Sequence, residues 1–140
     1  MERLPVAVAL VVVAVLVAVI VDRRRPAPPT QPRWAAPTQV DRADFDGPDL
    51  GWLVAVFTSA TCDSCRDVVA KARVLVSDQV GFQEIAWQDR KDLHERYAVD
   101  VVPTTVVADR HGVVRASFVG APTATDLWAA LADARATDEA

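Results

Sequence analysis

The feature that most constrains this chain is Cys62-Asp63-Ser64-Cys65, which holds both of its cysteines just downstream of the apolar run Trp52-Leu53-Val54-Ala55-Val56-Phe57. Apolar and polar residues then alternate with helical period from Cys62 to Val76, so a strand runs into a C-x-x-C that opens a helix. On this reading Cys62 lies in the first helical turn, where unpaired N–H groups and the helix dipole favour an anion. A thiolate then forms at Cys62 at lower pH than in a free cysteine. Cys65, one turn further in, is shielded and placed to resolve a mixed disulfide.

The segments around the pair read as alternating strands and helices. Trp52 to Thr58 and Gly81 to Gln88 are apolar and β-branched, and with the helix from Cys62 they make a β-α-β unit. Asp89 to Ala98 reads as a short helix. Thr104 to Ala108 and Val113 to Val119 flank Asp109-Arg110-His111-Gly112, a hairpin turn with glycine where positive φ is needed. Thr123 or Thr125 caps a closing helix whose apolar face is Leu127, Trp128 and Leu131. Trp52, Trp87 and Trp128 are assigned to core packing. Parallel strands with crossover helices, followed by an antiparallel hairpin and a last helix, give an α/β fold: a three-layer α/β/α sandwich with a mixed central sheet.

The stretches FTSATCDSC and YAVDVVPTTVVADRHGVVRASFVGAPTATDLWAAL resemble the thioredoxin superfamily. The resemblance implies that Cys62 is the nucleophile and Cys65 the resolving thiol. It implies that Val102-Pro103-Thr104 is a cis-proline site, with Val102 pairing backbone to backbone with a substrate and the Pro103 ring set against the cysteines. Val119-Gly120 resembles the glycine after the last strand, and Val40 to Phe45 an opening strand and turn. The first helix of the family is nearly absent, because Gly47-Pro48 follows Phe45 almost at once. A redox-active disulfide with no cofactor is implied, acting on protein thiols and disulfides and exchanging electrons with a further, unidentified donor or acceptor protein.

Three departures matter for chemistry. Thr61 stands where the family usually has tryptophan, Asp63-Ser64 replaces Gly-Pro, and the buried acid of the preceding strand falls at Val56. Glu84 aligns where a lysine often sits and is a candidate substitute for the missing proton carrier; the plain alternative is a solvent-facing strand residue. An acid at Asp63 supports the helix start yet opposes ionisation of Cys62, which makes the expected pair more reducing than that of strongly oxidising family members.

Pro5 to Val21 is an almost unbroken run of Val, Ala, Leu and Ile without charge, and it inflates the apolar share of 51%. At about 1.5 Å per residue it is at the short end of what crosses a bilayer. Val19-Ile20-Val21-Asp22 offers no small-x-small cleavage motif, so residues 1–25 read as an uncleaved N-terminal transmembrane helix with a basic flank, and a cleaved signal sequence is the alternative. Arg23-Arg24-Arg25 follows the run, which puts the following domain on the cytoplasmic side of the cell membrane by the positive-flank rule. The family resemblance allows the extracytoplasmic side, and one C-x-x-C suits either compartment. Residues 26–38 form a proline-rich linker, with Trp34 resting either on the interface or on the domain. Residues 39–137 form the thioredoxin-like domain, expected to be monomeric, and 138–140 a tail.

From Pro26 onward eleven basic residues face seventeen acidic ones, which argues against nucleic acid. His94, on a helix, and His111, in a turn, are read as surface residues; neither has metal-site spacing from the cysteines, so no metal is expected. Glycine-rich phosphate loops and nucleophile elbows are absent. Two functions remain: a membrane-tethered thiol-disulfide oxidoreductase, with exposed apolar surface around Thr61 and Val101 to Val102 as its docking face, or a tethered binding module whose disulfide is structural.

Overall fold

Strand β1 (Trp52–Thr58) is buried along its whole length, which is why it reads as a continuous apolar run rather than an alternating one. It lies inside a four-stranded sheet, between β2 (Val80–Ala86) and β3 (Thr104–Asp109), with β4 (Val114–Val119) beyond β3. The β1–β2 pair is parallel and the β1–β3 and β3–β4 pairs are antiparallel, so the sheet is mixed as expected. The computed structural model describes residues 12–15 and 35–138, and its contacts divide the chain into Met1–Arg33 and Trp34–Ala140.

Successive β1 side chains point to opposite faces and seed two cores. Trp52, Val54 and Val56 pack with Val68, Val69 and Ala72 of helix α1 (Cys65–Arg73) and with Leu127, Leu131 and Ala134 of helix α3 (Ala124–Asp138). Leu53, Ala55 and Phe57 pack on the other face with Leu93 of helix α2 (Lys91–Arg96) and with Val40 and Phe45. Helices therefore cover both faces, which gives the three-layer arrangement.

Several local expectations are corrected. The opening strand is reduced to one bridge, Gln39 to Val113, followed by a 3-10 turn over Arg42–Asp44 that Asp41 caps through the N–H of Ala43. Helix α1 begins at Cys65, not Cys62, and ends at Arg73 instead of reaching Val76. Beyond it Leu75 and Val76 donate to carbonyls three residues back, the tighter turn common at helix ends. Thr123, rather than Thr125, caps α3: its hydroxyl oxygen accepts from the Asp126 N–H at 3.1 Å while its O–H donates to Asp126 Oδ2.

His94 is the largest error of the surface assignment. It is 1% exposed, its Nε2 lies 2.8 Å from the Ile85 carbonyl, and its ring meets the edges of Phe57 and Trp87. Against a carbonyl acceptor, Nε2 is the protonated nitrogen. Trp128 and Trp87 are 43% and 39% exposed and so lie outside the core, whereas Trp52 is buried. The Trp128 indole N–H reaches across to the Lys71 carbonyl at 3.2 Å, a polar tie that a purely apolar stripe would not make.

The apolar run Pro5 to Val21 lies outside the described residues apart from 12–15, which are helical, and the linker is described only from Ala35, which leaves Trp34 outside. Among the described residues no helix is long and apolar enough to cross a membrane.

Candidate functional site

The parallel β1–β2 register ends at Thr58 opposite Ala86, and the chain leaves the sheet there into the loop Ser59 to Ser64. The Cys62 N–H donates to the Ser59 carbonyl at 3.2 Å, the Ala60 N–H to Gln88 Oε1 at 3.1 Å, and the Cys65 N–H back to the Cys62 carbonyl at 3.3 Å. These bonds fix a tight turn that presents Cys62 just before α1. Cys62 and Cys65 are joined as a disulfide with Cα atoms 5.4 Å apart.

The two sulfurs have different surroundings. Cys65 is 3% exposed and belongs to the first turn of α1, while Cys62 is half-buried in the loop. Ser64 is the N-cap residue of α1, yet its hydroxyl caps no N–H and lies 3.8 Å from Cys62 Sγ. Thr61, Asp63 and Ser64 are all exposed.

Antiparallel pairing of Phe57 with Thr104 brings the start of β3 to the sheet end from which the cysteine loop emerges. The Val102–Pro103 bond there is cis. Thr104 Oγ1 donates to the Val101 carbonyl at 2.7 Å, and the Gly120 N–H donates to the Pro103 carbonyl at 2.8 Å. Gly120 has a φ of +95°, a conformation that suits glycine. Among the described residues nothing bonds to the N–H or C=O of Val102, although the carbonyls on either side of it are occupied.

On the β2 side of the pair an open cavity of about 400 Å³ is lined by Cys62, Cys65, Arg66, Val69, Arg73 and Glu84, together with Ser59 and Ala60. Val102, Pro103, Thr61, Asp63 and Ser64 do not line it. Glu84 faces Val56 in the β1–β2 register, its Oε1 accepts from Thr58 Oγ1 at 2.9 Å, and its Oε2 lies 3.9 Å from the Arg73 guanidinium. The Arg73 guanidinium is also 5.3 Å from the centroid of the Phe82 ring, within cation–π range. Sequence reasoning singled out Glu84 and missed Thr58, Arg66 and Arg73. The signal for the arginines was their spacing, since residues 66, 69 and 73 share one face of a helix. Among the described residues no three His, Cys, Asp or Glu side chains come together as a metal site.

The architecture matches solved thioredoxins. A thioredoxin from Fasciola hepatica superimposes with a TM-score of 0.52 at 24% identity, over 59% of this chain and 80% of that one. The chain has a thioredoxin fold. Mitochondrial thioredoxin 3 from Saccharomyces cerevisiae, in its oxidised form, gives a TM-score of 0.53 at 22% identity over 61% of this chain and 81% of its own. A mutant thioredoxin from Halobacterium salinarum gives 0.56 at 21% identity over 71% and 93%. No protein-family model and no curated protein sequence matches the chain. Val56, where the resemblance implies a departure from a buried acid, is fully buried.

Proposed function

We propose that the protein is a membrane-tethered thiol-disulfide oxidoreductase acting on protein partners through Cys62 and Cys65. The observation that carries this reading is the asymmetry of the pair: a half-buried Cys62 in a loop, joined to a Cys65 that is 3% exposed at the start of α1. Exchange chemistry needs one sulfur that a partner can reach and a second that only the first can reach.

With the pair reduced, the Cys62 thiolate attacks one sulfur of a partner disulfide, forms a mixed disulfide and expels the other partner sulfur as thiolate. Cys65 then loses its proton and attacks Cys62 Sγ, which re-forms the Cys62–Cys65 bond and releases the second partner thiolate. The partner gains two electrons and the pair loses two. A donor protein returns them by the reverse sequence, and run backwards the same steps oxidise a partner. Glu84, in the cavity with both cysteines, takes the Cys65 proton through water, and Thr58 holds its carboxylate. Ser64 stands close enough to Cys62 Sγ to donate to its thiolate, and Asp63 opposes that charge. The N–H and C=O of Val102, unoccupied among the described residues, take a partner strand beside Pro103, with Thr61 and Val101 as the rest of the docking face.

The run Pro5 to Val21 anchors the protein, and Arg23 to Arg25 hold the domain, as a monomer, on the cytoplasmic side of the cell membrane. The test is Cys65→Ser expressed in the native host, where the resolving thiol is gone. Partners held on Cys62 by disulfide bonds support the reading, and the compartment of those partners reports the side of the membrane. An empty trap from a folded, well-expressed protein assigns the chain instead to the tethered binding modules.

A further inference from the structure

We propose that the cavity beside the disulfide selects partners that carry a carboxylate close to their reactive cysteine; the inference rests on the exchange reading above. Its wall on α1 is the stripe Arg66, Val69 and Arg73, positions three and four residues apart that fall on one helix face. The two arginines stand about 10 Å apart along the axis, and Arg66 directly follows Cys65. The stripe is thus cation, apolar side chain, cation, beginning at the redox pair.

The charges there are uneven. Glu84 is the one acid lining the cavity, and it is held by Thr58 and approached by Arg73 at 3.9 Å. Arg66 is exposed and makes no ion pair among the described residues, whereas Lys71, on another face of α1, is taken up by Asp67 and the Pro122 carbonyl. Arg73 is held in place from below by the Phe82 ring. The cavity lining carries two guanidiniums and one carboxylate in a chain whose net charge is −4, a reversal of sign confined to that lining, since the exposed Asp63 lies outside it and Asp67 is paired with Lys71. Guanidinium groups bind carboxylates through paired N–H donors, so the complementary partner is an acidic polypeptide segment. Bound over Cys62, such a segment sets its carboxylate at Arg66.

The experiment measures second-order rate constants for reaction of the reduced full-length protein with disulfide peptides of matched sequence. The residue beside the cysteine is glutamate, glutamine or lysine. At low ionic strength the glutamate peptide is expected to react about fivefold faster than the glutamine peptide, the size of one exposed ion pair, and the lysine peptide slower than both. The advantage shrinks in 0.5 M salt, where screening shortens to a few ångströms. Arg66→Gln removes the preference and Arg66→Glu inverts it. Arg110→Glu is the control, because it changes net charge equally from the hairpin at the opposite end of the sheet. Equal rates for the three peptides, or equal effects of Arg66→Glu and Arg110→Glu, overturn the proposal. If no peptide exchanges at all, it is the oxidoreductase reading that falls, and this inference with it.

Discussion

Val56 and Glu84 are direct partners in the parallel β1–β2 register, and it is the acid on β2, not a residue of β1, that lines the cavity reached by Cys62 and Cys65. Val56 is 0% exposed and completes the core under α1 and α3. An ionised carboxylate at that point would lie among apolar side chains, whereas at Glu84 it keeps water, a hydroxyl donor and a nearby guanidinium.

Glu84→Gln keeps the shape and removes the proton acceptor. Resolution of a Cys62 mixed disulfide at pH 7 is expected to slow about tenfold, less than the roughly hundredfold or more of a directly placed acid–base group, because the proton crosses a water. The deficit should close by about pH 9, above the ordinary thiol pKa, because solvent then deprotonates Cys65. The initial attack by Cys62, followed in Cys65→Ser, should be unchanged. Stopped-flow measurement of both steps across pH checks this.

Asp109 links pH to stability at the other end of the sheet. Burial pushes its pKa up, but Arg115 and the N–H groups of Val113 and His111 outweigh burial and hold it below the usual carboxylate value. A carboxyl whose folded pKa is depressed contributes stability that is complete above the unfolded pKa, about 3.9, and is lost as pH falls through the folded value. Asp109→Asn should therefore cost about 2 kcal/mol at pH 7, and the cost should fade below about pH 4. Urea titrations at pH 7 and pH 3 measure the difference.

Gly112 closes the same hairpin at a φ of +77°, and a Cβ placed there would stand 1.9 Å from the Val40 carbonyl oxygen. Gly112 O also accepts from the Val40 N–H at 2.8 Å, so relief of the clash breaks the tie of the opening segment to the sheet. Gly112→Ala should destabilise by more than about 2 kcal/mol, above the 1–2 kcal/mol of the left-handed backbone alone. Gly120→Ala meets no neighbour within 4 Å and should cost only that backbone term. Thermal melts of the two variants rank them.

His94→Leu removes the donor to the Ile85 carbonyl while keeping an apolar side chain between Phe57 and Trp87. Losing that buried hydrogen bond should cost about 1 kcal/mol, and a histidine on the surface would cost almost nothing. Denaturant midpoints separate the two outcomes.

The order of strands and helices was legible in the sequence because Trp52 to Thr58 is unbrokenly apolar and Val114 to Val119 alternates, the two patterns that central and edge strands require. The Asp109 to Gly112 turn was legible for the same kind of reason, a local demand for positive φ. The start of α1 was not. Helical periodicity runs through Cys62, but the Ser59 carbonyl captures the Cys62 N–H and delays the helix to Cys65. The burial of His94 was equally hidden, since its partner is a backbone carbonyl of β2 and carries no sequence signal. In the site, both cysteines and Glu84 could be named from sequence, whereas Thr58, Arg66 and Arg73 join them through register and helix face.

The central claim is that Cys62 and Cys65 form an exchanging pair and not a structural disulfide. Equilibrating the protein in glutathione buffers of graded potential at pH 7, then alkylating free thiols, measures it directly. The account predicts a two-electron transition with a midpoint near that of reducing exchangers, between about −280 and −200 mV. A pair that stays oxidised in buffers at about −300 mV contradicts it, because that resistance is the mark of a disulfide kept for structure.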